Sequence, residues 1–227
     1  MNGRLWEIFL NSFTRILLPG LLVTIPLTLA AFFFAMIIAV IVAMIRFANI
    51  KILKDICRFY VWIIRGTPLL VQLFFAYYGL PILGITWNSP FVCAIVVFAL
   101  NEGAYASETI RGSLNSVPDG QIEAGYCVGM SYLQIMLRIV LPQALRAAFP
   151  ALMNGLIGMV KDTSLASNIT VTEMFFTTRT IVTTTYEPLL LYLEVALIYL
   201  LFSTVLSKVQ VIVEKKLNAQ VGKYDWT

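Results

Sequence analysis

The sequence of 227 residues contains no histidine, and charged residues make up only 12% of it. Without histidine, the chain cannot form a Ser-His-Asp triad, an HExxH zinc site or a histidine pH switch. Soluble domains have about 25% charged residues, so a chain with half this share could not cover its surface in water. The scarcity of charge therefore excludes a soluble globular enzyme.

Cysteine is scarce as well. Cys57, Cys93 and Cys127 show neither disulfide nor metal-ligand spacing, and we interpret them as apolar filling. The Walker A motif is absent, so the chain does not bind ATP through a P-loop, and no cofactor is expected in it. We interpret the net charge of +4 as a sign of membrane topology rather than of nucleic-acid binding.

The sequence is rich in long apolar segments. Residues 16–45 contain no Asp, Glu, Lys or Arg, and about 20 apolar residues span a bilayer as a helix. The pattern predicts an all-α membrane protein of one domain, residues 1–227, with about five transmembrane helices. They are predicted at 21–45, after Pro19-Gly20, and at 57–80, 90–110, 145–160 and 188–209. Residues 4–16 are predicted to form a short helix lying on the membrane surface.

Lysine and arginine are distributed unevenly over the predicted connections. Eleven of them lie between helices one and two, between helices three and four, or after helix five, and four lie in the other connections. Because cytoplasmic segments carry the excess of positive charge, we expect the N-terminus outside and the C-terminus in the cytoplasm. Five helices are too few to enclose a substrate path easily, so we also expect at least a dimer.

The connection 117–146 carries the most specific motif. Glu123-Ala124-Gly125 is followed after three residues by Gly129, and nine further residues separate Gly129 from a segment that ends at Pro142. This spacing resembles the coupling segment of permeases of ATP-binding-cassette (ABC) importers, except that Gly125 replaces the second alanine of the motif. In that family the segment docks into a cleft on a cytoplasmic ATPase. Glu123 would pair with a cation there, small residues would allow close approach, and Gly129 would allow a sharp turn.

The resemblance extends over nearly the whole chain. Residues 65–74, 101–111 and 161–165 resemble motifs of the polar amino-acid uptake subfamily, and residues 77–81 and the last helix are most similar to L-cystine permeases. The resemblance implies a type I ABC importer permease fold in the bacterial cytoplasmic (inner) membrane. It also implies that the chain catalyses no reaction and that amino acids, with L-cystine favoured, are transported by alternating access.

The resemblance further implies partners. These are two cytoplasmic ATPase subunits that bind ATP-Mg, a second permease chain, identical or different, an extracytoplasmic solute-binding protein, and membrane lipid; no nucleic acid is expected. An ion-gradient-driven secondary amino-acid transporter is the alternative, because carboxylates inside the membrane also occur in ion pathways.

Polar residues within the predicted spans are candidates for the substrate path. Asn101, Tyr105 and Glu108 share one helix face because they are spaced i, i+4, i+7. Charged residues are rare inside a membrane, and those that occur there usually have a function. This rarity, the spacing and the resemblance together predict the residues of the substrate path. They are Gly66, Thr67, Gln72, Asn101, Glu102, Tyr105, Glu108, Asp162, Thr163 and Ser164.

Each end of an amino-acid substrate has a candidate partner. Glu102 or Asp162 would receive the ammonium group. Backbone N–H groups would receive the carboxylate where helix four is expected to break, near Thr163-Ser164. An alternative for Glu108 is a structural ion pair with Arg111 or with Arg65.

Overall fold

The computed structural model describes residues 2–48 and 51–219, and this part of the chain is helical without a β-strand. The α-helices are α1 Asn2–Pro19, α2 Ile25–Phe47, α3 Lys51–Arg65, α4 Leu69–Phe74, α5 Pro90–Leu114, α6 Asp119–Cys127, α7 Tyr132–Ile135, α8 Leu141–Asp162, α9 Met174–Thr185 and α10 Pro188–Ala219. Short π-helical turns (Gly20–Thr24, Phe75–Gly79, Met136–Val140) and 3-10 helices (Leu80–Leu83, Thr163–Ile169) continue several of them. The predicted all-α class is confirmed.

Four helical segments are long and apolar enough to cross a membrane, and one bent pair provides a fifth span. This agrees with the predicted number of about five. The four segments are Gly3–Phe47, Pro90–Leu114, Tyr132–Ile169 and Pro188–Leu217, and the bent pair is Lys51–Arg65 with Leu69–Leu83.

The second span differs from the prediction of one continuous helix over 57–80. The chain bends by 105° between the two halves of this span, at residues 66–68. Pro68 has an extended backbone, with φ −65° and ψ 138°. Proline has no N–H to donate and disfavours helical geometry in the residue before it, so the helix ends at this point.

The first span is longer than predicted. It was expected to begin after Pro19-Gly20, separate from a surface helix at 4–16, but one helix runs from Gly3 to Phe47. Its first part, α1, packs against α9 and α10, and the Ser12 hydroxyl donates a hydrogen bond of 2.6 Å to Glu194 of α10. The position of residues 4–16 relative to the membrane surface stays a prediction.

The fourth span is also longer than predicted. It was expected over 145–160, yet the helical segment extends from Tyr132 to Ile169. Ser131 and Gln134 begin it with a capping box, in which each side chain bonds to the backbone N–H of the other residue. The predicted connection 117–146 therefore contains α6, a turn and the first turns of this span.

Three π-helical turns explain why these helices continue through proline. Each turn ends two residues before a proline, namely Pro26, Pro81 and Pro142. In each case the residue just before the proline donates its N–H to the carbonyl five residues back, as Ile25 does to Gly20. A proline ring clashes with the carbonyl four residues back in a regular α-helix, and a π turn changes this local spacing.

Helices α2 and α5 form the centre of the fold. Ala31, Ala35, Ala39 and Ala43 recur every fourth residue of α2, and none of them is accessible to solvent. On α5, a Cβ atom added to Gly103 would lie 2.9 Å from Cγ2 of Ile38. Small residues of this kind let helix backbones approach closely in membranes. Helices α3, α4 and α8 pack around α5, so the middle of α5 lies inside the bundle.

Enlarging the alanine face of α2 should destabilise the fold. We expect Ala39→Leu to lower the free energy of unfolding by about 1–3 kcal/mol, because overpacking displaces the neighbouring helix. Thermal unfolding of the purified chain in detergent measures this effect. Ala147→Leu, the same change at an exposed alanine of α8, is the control and should leave the melting temperature nearly unchanged. Equal melting temperatures of the two variants would contradict the close α2–α5 packing.

Candidate functional site

The break in the second span is joined to α5 through Gln72. The Asn101 amide of α5 donates a hydrogen bond of 2.9 Å to Oε1 of Gln72. The Gln72 amide in turn donates to the carbonyl of Ile64 at 2.8 Å and to the hydroxyl of Thr67 at 2.9 Å. The structure thus places three predicted path residues, Thr67, Gln72 and Asn101, in one hydrogen-bonded cluster beside Gly66.

Gln72 replaces a hydrogen bond that the helix has lost. In a continuous helix, the carbonyl of Ile64 would accept the N–H of the residue four positions later. That residue is Pro68, which has no N–H. The Gln72 side chain supplies the missing donor, so its amide is already used in holding the break.

The carboxylates Glu102 of α5 and Asp162 of α8 lie near each other. The half-buried Glu102 side chain fills the space left by Gly155, where an added Cβ atom would lie 2.1 Å from Oε1 of Glu102. Asp162, at the end of α8 and exposed, is close enough for its charge to repel that of Glu102. Lys161 attracts Asp162 electrostatically, but neither carboxylate belongs to an ion pair among residues 2–48 and 51–219. Sequence reasoning missed Gly155, whose role depends on a contact across helices.

The other two predicted path residues in this part of α5, Tyr105 and Glu108, have partners within the chain. Glu108 bonds to Arg46 of α2 and, at 2.8 Å, to Arg111. The alternative of a structural pair with Arg111 is confirmed, whereas Arg65 is not the second partner. The Arg65 guanidinium instead lies 5.2 Å from the centre of the Tyr105 ring, which is cation–π distance. The Glu108 carboxylate is therefore occupied within the chain.

The α-helical part of helix four ends at Asp162, beside the break predicted near Thr163-Ser164, but the chain stays helical there and does not open. The α-helix tightens there into a 3-10 helix, and the N–H of Thr163 is bonded to the carbonyl of Met159. The Thr163 hydroxyl is fully buried and donates to the carbonyl of Val160 at 2.6 Å. Ser164 also bonds back within the helix. The N–H of Thr163 is thus unavailable to a substrate carboxylate.

The coupling segment forms a separate short helix. Glu123 and Ala124 are exposed on α6, and Tyr126 and Val128 expose 52% and 76% of their surface beside them. Gly129 follows with φ +80°, a left-handed value that favours glycine and turns the chain sharply. These exposed residues of α6 and of the turn after it are accessible to a partner protein.

Two residues of the coupling motif do not lie on this surface. Gly125 is buried, and a Cβ atom added to it would lie 2.7 Å from Cγ1 of Ile135. The small size of Gly125 thus makes room for the Ile135 side chain of the same chain, and not for a partner protein. Pro142 lies in the first turn of α8, directly after a π-helical turn. It therefore belongs to the fourth span and not to the exposed surface of α6.

Comparison with known proteins adds to this geometry. Residues 35–219 match the family described as binding-protein-dependent transport system inner membrane component. The chain is 45% identical over 219 residues to the L-cystine transport system permease protein TcyB of Bacillus subtilis (strain 168), covering 96% of this chain and 93% of the relative. It is 41% identical over 222 residues to the nopaline transport system permease protein NocM of Agrobacterium fabrum, covering 90% and 92%.

Solved structures agree with this assignment. A chain in the crystal structure of an amino acid ABC transporter with histidines has a TM-score of 0.83 and 31% sequence identity, covering 91% of this chain and 96% of that one. The fold is that of a type I ABC importer permease. Together with the apolar helices, these similarities place the chain among multi-pass proteins of the bacterial inner membrane. The chain belongs to the binding-protein-dependent transport system inner membrane components and is a permease of the ABC amino-acid importers.

Proposed function

We propose that this permease carries L-cystine into the cell, driven by ATP hydrolysis in partner subunits. The observation that carries the substrate assignment is the pair of carboxylates Glu102 and Asp162, which have no ion-pair partner among the described residues. L-Cystine has two ammonium groups, and unpaired carboxylates inside a membrane attract cations. The similarity to an L-cystine permease supports the same substrate.

The substrate carboxylates need a different partner from the one that the sequence indicated. The N–H of Thr163 is bonded within its helix, and the amide of Gln72 holds the break in the second span. We propose Arg65 for this role. Its guanidinium lies over Tyr105, three residues after Glu102 on α5, and a guanidinium has five N–H donors that match carboxylate geometry.

We propose that transport proceeds by alternating access. Two cytoplasmic ATPases would bind ATP-Mg and move the α6 surfaces of two permease chains, while an extracytoplasmic solute-binding protein delivers the substrate. The chain itself supplies no catalytic residue in this scheme. The N-terminus lies outside and the C-terminus in the cytoplasm; Lys223, one of the eleven cytoplasmic cations, lies outside the described residues.

The ion cluster around Glu108 links α2 and α5 into one rigid part of the permease in this scheme. Glu108 joins Arg46 at the end of α2 to Arg111 near the end of α5. Because α2 and α5 also pack closely along their length, we propose that these two helices move as one body. The movement relative to α3 and α4 would then occur at the break beside Gly66 and Thr67.

Reversing the charge on α6 should separate ATP hydrolysis from transport. We expect Glu123→Arg to lower L-cystine uptake at least about tenfold, because placing like charges across an interface costs several kcal/mol. Uptake of radiolabelled L-cystine and ATP hydrolysis are measured in proteoliposomes that contain the whole transporter. Glu7→Arg, the same charge change at an exposed residue of α1, is the control. Normal uptake by the Glu123 variant would contradict a coupling role for this residue.

Neutralising Glu102 should weaken substrate binding. We expect Glu102→Gln to raise the KM for L-cystine about tenfold, since a hydrogen bond to a charged group contributes about 1.5–3 kcal/mol. Uptake kinetics are measured in the same vesicles for L-cystine and for an amino acid whose side chain carries no charge. Glu7→Gln is the matched control and should behave like the unmodified chain. Unaltered kinetics for every amino acid would remove Glu102 from the binding site.

A further inference from the structure

A basic cavity of about 340 Å³ lies at one end of the bundle, where α2 and α5 end and α3 begins. Its lining residue Arg111 lies roughly 13 Å beyond Glu102 along α5, and the proposed transport does not use the cavity as a binding site. Four of its six lining residues are cationic. The lining consists of Arg46, Phe47, Lys54, Arg58, Arg111 and Asn115.

Glu108 fixes two of these cations without using all their donors. One oxygen of Glu108 accepts from Arg46, and the other accepts from two nitrogens of Arg111. Each guanidinium has five N–H donors. Both arginines are therefore held in place and still have donors for a further acceptor. A preformed pair of guanidiniums is well suited to the oxygens of a phosphate.

The cavity retains an excess of positive charge. Arg58 is 3.3 Å from Asp55, but both side chains are largely exposed, and exposed pairs of this kind are weak. Counting Asp55 and Glu108 against the three arginines of the lining, with Lys54 left out of the sum, leaves a net charge of +1. This excess favours an anionic occupant.

The sequence of α3 indicates the depth of the cavity in the membrane. Lys54 and Arg58 lie on one face of this helix, and Ile52, Ile56 and Phe59 are exposed on the opposite face. Because they have a basic face and an apolar face, these first turns of α3 are placed at the boundary between lipid tails and headgroups, before the span enters the membrane. The cavity is therefore at headgroup depth, where phosphates of anionic lipids attract clustered lysine and arginine.

We propose that this cavity binds the phosphate of an anionic phospholipid in the cytoplasmic leaflet. The inference uses the proposed orientation of the chain and is independent of the identity of the transported amino acid. A lipid phosphate bound here would contact α2, α3 and α5 together. It would thus bridge the rigid α2–α5 pair and the first half of the broken span.

Lipid retention by the purified transporter tests this site. The chain, copurified with its ATPase subunits, is incubated with equal amounts of phosphatidylglycerol and phosphatidylcholine, and the bound lipids are counted by native mass spectrometry. The double variant Lys54→Gln/Arg58→Gln removes two cations from the cavity rim. We expect its affinity for phosphatidylglycerol to be about 25-fold lower, from roughly fivefold for each cation near the surface.

A charge-matched control separates the cavity from overall charge. Lys215→Gln/Lys216→Gln removes two exposed cations from α10, outside the cavity, and should retain phosphatidylglycerol. Lys54→Arg/Arg58→Lys keeps both charges and should also retain it, which shows that the positions tolerate substitution. Equal losses in the two glutamine variants would overturn the proposal, as would the absence of a preference for phosphatidylglycerol in the unmodified chain.

Two further outcomes would assign the cavity to another ligand and likewise overturn the proposal. In the first, glycerol phosphate in solution displaces phosphatidylglycerol at equal concentration, which indicates a site for free anions. In the second, the Lys54/Arg58 glutamine variant releases the ATPase and keeps its lipid, which indicates a protein contact. Transport activity enters none of these measurements, so failure of the lipid site leaves the proposed L-cystine transport untouched.

Discussion

The backbone of a membrane-spanning chain has to satisfy its hydrogen bonds internally, because the lipid core offers no water. This chain meets that requirement at four of its nine prolines in two ways. Before Pro26, Pro81 and Pro142, a π-helical turn lets the helix continue. At Pro68 the helix breaks instead, and the Gln72 side chain donates to the carbonyl that proline leaves without a partner. The lengths of the spans and the place of the one break both follow from this constraint.

The candidate site depends on the same arrangement. Because Gln72 holds the break and Asn101 bonds to Gln72, the amides beside the break are used in the structure. Glu108 is likewise occupied by two arginines. This leaves Glu102 and Asp162 as the carboxylates of the predicted path without an ion-pair partner in the described part of the chain. In the proposed function, these two carboxylates bind the cationic groups of the substrate: Glu102 beside Gly155 of α8, and Asp162 at the end of α8.

Much of the fold could be predicted from composition and motif spacing, whereas the ends of the helices could not. Apolar runs indicated about five spans, and the spacing of Glu123, Gly129 and Pro142 indicated the family. Pro19-Gly20 was interpreted as the start of the first span, and the fourth span was predicted to begin only at residue 145, so both spans were predicted too short. A π turn depends on carbonyl positions, and the Glu108–Arg46 pair joins residues 62 positions apart. Neither leaves a local signal in the sequence.

In the proposed function, this permease couples ATP hydrolysis in partner subunits to the import of L-cystine. ATP hydrolysis by the reconstituted transporter, measured with its solute-binding protein present and absent, tests it most directly. We expect binding protein loaded with L-cystine to stimulate hydrolysis, and binding protein loaded with other amino acids to leave it unchanged. Stimulation by a different amino acid alone would contradict the substrate, and a folded chain that associates with no ATPase would contradict the coupling.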